Sequence, residues 1–261
     1  DRRLAIRRDL SAAIQSGAIE MVYQPIFEVR TGELSGVEAL ARWTHPEYGP
    51  ISPDEFITIA ESSRAIVALG QHTLRLACTE AVDWMTARNE TLRLNVNVSP
   101  MEIMGEDFID SLLSILDETG FPANLLELEI TERGILEDLD VSRARLKTIR
   151  ESGVTVALDD FGTGFSSLAL LHKFPFDSLK IDHSFVSRMT SERRSLDIVA
   201  STLLMAERLG LKTVAEGVED QATLDCLAEI GCNMVQGYYL GRPAPTLLQT
   251  ASGTPKTCQV A

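Results

Sequence analysis

Two adjacent aspartates, Asp159 and Asp160, close the apolar run Val154–Leu158 and lead straight into the loop FGTGFSS of residues 161–167. The run is short and partly β-branched, the pattern of a buried strand. Two ionised carboxylates at the mouth of such a strand, close together and partly desolvated, each raise the cost of the other. A divalent cation relieves that cost; an aspartate capping a strand-to-helix turn is the plainer alternative. Glycines 162 and 164 supply a flexible loop beside the charges.

Similar polar residues stand at the ends of other apolar runs. They are Glu38 in Val37–Arg42, Asn97 in Leu94–Ser99, Glu129 and Glu132 in Leu125–Glu132, and Lys180 in Ser178–Asp182. Glu216 and Glu219 stand in Ala215–Glu219, and Gln236 opens Gln236–Tyr239. Each has an ordinary use alone. Glu38 can pair with Arg42, Glu127 or Glu129 can face solvent on an alternating strand, and Lys180 can be a surface lysine. Glu216 can be a helix N-terminal acid and Asn97 a satisfied core amide. Together they are a set of hard oxygen ligands suited to Mg²⁺, Mn²⁺ or Ca²⁺. So many acids crowd two cations rather than one, and two metals ~3.5–4 Å apart form the clamp used for in-line phosphoester displacement. A lysine beside them would hold or deprotonate the attacking water. The chemistry indicated is metal-dependent phosphoester hydrolysis. None of these positions is histidine, which disfavours a zinc hydrolase. His45, His72, His172 and His183 are scattered and are assigned surface or structural roles.

The elements that must bring these groups together alternate. Residues 2–16 read as an amphipathic helix. Strands are expected at 21–29, 34–42, 92–98, 125–130, 154–159, 178–182, 212–216 and 233–236, with helices at 64–88, 107–119, 141–152, 195–209 and 220–230. Strands in this number, alternating with helices over this length, predict an α/β fold, a (β/α)8 TIM-like barrel, whose catalytic groups collect at the C-terminal strand ends. The first two strands are separated only by residues 30–33, whereas a parallel pair needs a crossover of about a dozen residues or more. They must be antiparallel, with the first strand reversed, so that Tyr23, Gln24 and Pro25 lie at the catalytic end.

Residues 1–245 are expected to form one barrel domain. From Ala244 the chain is rich in Thr, Gly, Pro and Ser without periodicity, and 246–261 is expected to be a disordered tail. The net charge of −14 argues against binding nucleic-acid polymers or anionic membranes, but not against a nucleotide held through metals. No apolar run reaches the ~18 residues of a membrane span, so no direct membrane insertion by this domain is expected. The chain begins at Asp1 without a methionine and reads as an excised domain. Cys78, Cys226, Cys232 and Cys258 have no zinc-ligand spacing and are expected to be free thiols in a reducing compartment.

Glu38-Ala39-Leu40 with Arg42, the Asn97–Ser99 turn, Glu129–Glu132, DDFGTGFSSL from Asp159, KID from Lys180, EGVE from Glu216 and QGYYLGRP from Gln236 together resemble the EAL domain. The resemblance covers residues 3–245, in order and at compatible spacing. It implies a (β/α)8 barrel with a reversed first strand, and hydrolysis of cyclic dimeric GMP (c-di-GMP) to linear pGpG in bacterial second-messenger signalling. It further implies that Glu38, Asn97, Glu129 and Asp159 ligate one metal, and that Asp159, Asp160 and Glu216 serve a second. Two Mg²⁺ or Mn²⁺ ions per active site are implied, with Ca²⁺ inhibitory. Lys180 resembles the residue that orients or activates water, and Gln236 one that contacts metal-bound water or phosphate. Gln24, Leu40 and Arg42 would hold the dinucleotide, Glu219 a base edge, and Glu132 the loop after the double aspartate. The resemblance also implies a homodimer, with that loop and helix 166–172 near the interface. It implies upstream sensory or GGDEF-type domains and a soluble domain on the bacterial cytoplasmic side, with membrane anchoring of the full-length protein left open. All positions that would ligate metal, and the lysine, match the family; Phe165 replaces a frequent Tyr.

Two other readings compete. One is a catalytically silent c-di-GMP receptor. The other is an unrelated Mg²⁺ barrel enzyme with an enolisable substrate, which shares the acids and the lysine but gives no role to Gln24, Arg42, EGVE or QGYY.

Overall fold

The computed structural model describes residues 2–131, 139–162 and 167–247. Its strands are β1 (Ile19–Glu28), β2 (Leu34–His45), β3 (Gly49–Ile51), β4 (Arg93–Asn97), β5 (Leu126–Thr131), β6 (Thr155–Phe161), β7 (Ser178–Ile181), β8 (Lys212–Ala215) and β9 (Met234–Val235). From β2 through β4 to β9 each strand runs parallel to the next. β1 lies antiparallel to both β2 and β9 and closes the ring, while β3 extends β2 as a hairpin outside it. The barrel with a reversed first strand is therefore as expected. Its register sets Gln24 opposite Glu38, so the start of β1 lies beside the end of β2.

The helices are α1 (Arg2–Ser16), α2 (Pro53–Ser63), α3 (Ile66–Arg88), α4 (Pro100–Ile103), α5 (Phe108–Thr119), α6 (Leu139–Glu151), α7 (Ser167–Lys173), α8 (His183–Val186), α9 (Arg193–Leu209) and α10 (Gln221–Glu229). Helix α1 buries Ile6, Leu10, Ala13 and Ile14, a single stripe at helical spacing, against Ile19, Trp43, Phe56 and Ile59. Helix α2 is not among the helices expected from sequence. Its start carries ordinary signals: Pro53 in the first turn, with Asp54 and Glu55 next to it facing the helix dipole. Arg64, in the left-handed region at φ 60°, ends it and separates it from α3.

Strand residues alternate. Leu94, Val96, Leu126, Leu128, Ile130, Val156 and Leu158 belong to the main apolar core together with helix residues such as Leu74, Ile115 and Ile149. The intervening residues of β4 and β5 are polar, and they help to build the candidate site. Among the described residues, no helix is long and apolar enough to cross a membrane. Glu132, the loop 163–166 and residues 248–261 lie outside the described residues.

Candidate metal centre

Lys180, on β7, is 1 % exposed. Its Nζ lies 2.6 Å from Glu129 Oε2, 2.6 Å from Glu216 Oε1, 3.5 Å from Asp159 Oδ1 and 3.6 Å from Glu38 Oε2. These acids come from β5, the end of β8, β6 and β2. Strands β2 and β5 are not neighbours of β7, so the groups meet only because their side chains project into the barrel lumen. Glu38 is tied further: Asn97 Nδ2 donates to its Oε1 at 2.7 Å, and Gln236 Nε2 to its Oε2 at 2.7 Å. Gln236 also donates to Gln24 Oε1 at 3.1 Å, and Gln24 Nε2 donates to the Gly241 carbonyl at 3.2 Å. The alternative Glu38–Arg42 pair is not formed; Arg42 Nη1 donates to the Ala41 carbonyl instead.

Adjacent residues of a regular strand point to opposite faces, so Asp159 and Asp160 need a local irregularity to act together. The β6–β7 register shifts between Leu158 and Phe161, and Asp160 takes the left-handed conformation at φ 54°. Aspartate tolerates that region better than most residues, and the Asp160 N–H donates to Asp159 Oδ1 at 2.9 Å. The result is that Asp159, Asp160 and Glu216 each offer a carboxylate oxygen, and these oxygens lie within 4.8 Å of one another. They are the trio expected around the second cation. A bulge beside a functional site that re-aims a side chain is a recurrent device.

One lysine does not neutralise this set. Burial alone would depress the Lys180 ammonium, but Asp159, Glu129, Glu216 and Glu38 hold it well above its ordinary value. Burial drives Glu129 well above the carboxylate range, and Glu38 adds to this against the pull of Lys180. Burial likewise lifts Glu216 to about 8, with Lys180 opposing and Asp159 assisting. Asp160 is raised by burial and by Asp159. Glu38 alone falls: burial would raise it, but Lys180 and the amides of Gln236 and Asn97 outweigh that.

A groove of about 460 Å³ runs outward from Asn97, Glu129, Asp159 and Asp160, past Leu40 and Arg42, to Asp54, Ile57 and Glu61. Leu40 and Arg42 line it, while Gln24 is buried and hydrogen-bonded to Gln236 outside that lining. Glu219 is exposed on the segment after β8. The Asn97–Ser99 turn is fixed by a capping box in which Glu102 Oε2 accepts from the Ser99 N–H, and Ser99 Oγ donates to Glu61 Oε1 at 2.7 Å. Glu127 and Glu129 both lie inside the barrel, neither facing solvent, and are joined by Asn95. Asn95 is not among the residues that sequence reasoning singles out. Its signal is present nonetheless, since it stands two residues before Asn97 and hence on the same strand face. His45 is structural, buried with Asp9 and the Glu47 and Tyr48 N–H groups. Cys78, Cys226 and Cys232 are free thiols, and Cys258 lies outside the described residues.

A family model described as the EAL domain matches residues 7–243. A Sinorhizobium fredii protein named "Uncharacterized protein y4lL" is 43 % identical over 243 residues, which is 93 % of this chain and 29 % of that protein. "Cyclic di-GMP phosphodiesterase NbdA" of Pseudomonas aeruginosa is 38 % identical over 244 residues, 94 % of this chain and 31 % of NbdA. This chain therefore spans about a third of the length of these relatives. Among solved structures, "PaMucR Phosphodiesterase, c-di-GMP complex" superposes with a TM-score of 0.88 at 35 % identity, covering 94 % of this chain and 99 % of that one.

Proposed function

This chain belongs to the EAL domain family, and on that premise we propose that it is a metal-dependent phosphodiesterase that hydrolyses c-di-GMP to linear pGpG. The observation that carries the reading is the convergence of Glu38, Glu129, Asp159 and Glu216 on Lys180, with the Asp159–Asp160–Glu216 trio at the rim. NbdA, by its name, and PaMucR, by its bound ligand, support the same substrate.

The residues present fit a pair of divalent cations. All the donors are oxygens, their carboxylates outnumber the one lysine among them, and Gln236, whose Nε2 donates to Glu38, has a buried Oε1 without a hydrogen-bond partner. Glu38, Asn97, Glu129 and Asp159 would hold one ion, and Asp159, Asp160 and Glu216 the other. Mg²⁺ or Mn²⁺ bound there supplies positive charge to the phosphodiester oxygens and makes water more acidic. The chain's own groups do the rest. Lys180 would lie beside the attacking water and orient or activate it. Arg42 and Leu40, which line the groove, would hold the dinucleotide along it, and Gln236 would contact water or phosphate, as the family resemblance implies. Water adds to phosphorus as the bond to the 3′ oxygen breaks, and the proton that water gives up ends on that oxygen, leaving a 5′ phosphate and a 3′ hydroxyl. Residues 1–245 form the catalytic unit in this reading. From the family resemblance we also infer a homodimer and a bacterial cytoplasmic setting within a longer signalling protein.

Incubation with c-di-GMP and Mg²⁺ or Mn²⁺, followed by chromatography, should yield pGpG. Tight binding without pGpG under any metal condition would instead identify a silent receptor. Glu38→Ala should lose turnover, because it removes a carboxylate shared by Lys180, Asn97 and Gln236.

A further inference from the structure

Asn95 and Glu127 lie deeper in the barrel than the metal-binding acids and Lys180. Both are buried, at 5 % and 8 % exposure. Asn95 Nδ2 carries two hydrogens and spends both on carboxylates, at 2.9 Å to Glu127 Oε1 and 2.9 Å to Glu129 Oε1. Glu129 is consequently held at both oxygens, Oε1 by Asn95 and Oε2 by Lys180 at 2.6 Å. The two holds differ in kind. A cation arriving among the acids competes with the Lys180 ammonium for negative charge, whereas the neutral amide of Asn95 sits below the cluster and has no reason to let go. Glu127 fixes Asn95 from its register position on the neighbouring strand, beside a cavity of about 20 Å³ that Arg93 and Lys212 also line.

We propose that Asn95, anchored by Glu127, is a positioning residue for the metal centre: it sets the orientation of the Glu129 carboxylate and thereby the affinity for the metal. This rests on the metal-dependent reading of the site. Ligands of bound metals are commonly oriented by partners of this kind, and loss of such a partner costs about 10–100-fold in metal affinity. The amide also separates two buried carboxylates that would otherwise repel each other across the lumen.

The test is calorimetric titration of Mn²⁺ into the EDTA-treated, dialysed protein, alongside turnover of c-di-GMP across Mn²⁺ concentration. Asn95→Leu should raise the Mn²⁺ dissociation constant by roughly 10–100-fold, while kcat at saturating Mn²⁺ falls far less. Asn95→Ser, which has a single hydroxyl hydrogen to give, should fall between wild type and Asn95→Leu, and it serves if the leucine variant does not fold. An unchanged Mn²⁺ constant in a folded variant overturns the proposal, even if its melting temperature drops, because that pattern belongs to a purely structural amide. Wild-type protein that takes up no Mn²⁺ overturns the metal-centre reading and this proposal together. Wild-type uptake with unaltered variants overturns this proposal alone.

Discussion

Four carboxylates share Lys180 as their common cation, and the balance of charge around it governs how the site responds to mutation and pH. Removing one partner from a buried ionic group leaves the others uncompensated, at about 3–5 kcal/mol. Lys180→Met should therefore melt well below wild type in EDTA, and Mn²⁺ should raise its melting temperature by more than it raises that of wild type. Equal metal shifts in the two proteins would count against the shared-cation account. The pH dependence comes from Glu216, lifted from its ordinary 4.5 to about 8, and from Glu129, lifted in the same direction. Between those pH values the folded metal-free protein keeps protons that the unfolded chain has released. Stability then falls as pH rises, by up to about 1.4 kcal/mol per unit for each proton so retained. Glu38, whose value is lowered, acts oppositely, but only at pH below its ordinary 4.5. Urea unfolding in EDTA at pH 6 and pH 8 should show the metal-free protein weaker at pH 8, with Mn²⁺ removing most of the difference.

At the level of the element, the bulge in β6 brings the carboxylates of Asp159 and Asp160 within reach of each other and of Glu216, and a glycine with positive φ follows at the strand's exit. Gly162 has φ 99°, and a Cβ there would lie 2.8 Å from Phe185 Cε2 on α8. Gly162→Ala should cost about 1–3 kcal/mol from backbone strain, and it should weaken Mn²⁺ binding by displacing Asp160. Thermal unfolding and Mn²⁺ titration check the two effects separately; a strained but fully metal-competent variant would detach Asp160 from the centre. The bulge also marks the limit of what the sequence makes legible. Apolar runs and their polar ends locate the strands that carry Glu38, Asn97, Glu129 and Lys180 to within a few residues, because period-two alternation is written in the residues themselves. The left-handed turn at Asp160 carries no such mark, since only the packing of β6 on β7 demands it. Helix α2 escapes a reading by periodicity although Pro53, Asp54 and Glu55 announce it, because Arg64 breaks the pattern before α3 can reveal it. Asn95 is inconspicuous because an amide among apolar residues reads as core; its role depends on two acids from the neighbouring strand.

For the molecule as a whole, a net charge of −14 surrounds a site proposed to receive a doubly negative dinucleotide. Repulsion between exposed charges acts over the Debye length, which shrinks from roughly 30 Å at 0.01 M salt to roughly 8 Å at 0.15 M. At fixed saturating Mg²⁺, kcat/KM for c-di-GMP should therefore rise with added monovalent salt across that range, mainly through the association step. A flat or falling profile would mean that the bound cations and Arg42 dominate the approach of the ligand. The barrel itself is legible at this scale from one short connection. The few residues between β1 and β2 cannot cross the barrel, so the first strand has to run backwards.

That reversal also decides where the polypeptide enters and leaves. In a barrel with every strand parallel, the opening strand starts at the floor, far from the chemistry. Here Ile19 starts at the rim, level with Trp43, and α1 packs there against α2 rather than beneath the barrel. The other end of the described chain returns to the same place: Tyr23 and Ala244 exchange backbone hydrogen bonds at 2.8 and 3.0 Å, and Gly241 holds Gln24. The start of β1 and the segment after β9 thus meet beside the Gln24–Gln236–Glu38 chain. From Gln24 two hydrogen bonds lead through Gln236 to Glu38, so the first barrel strand is joined to the acid cluster by side chains as well as by its pairing with β2.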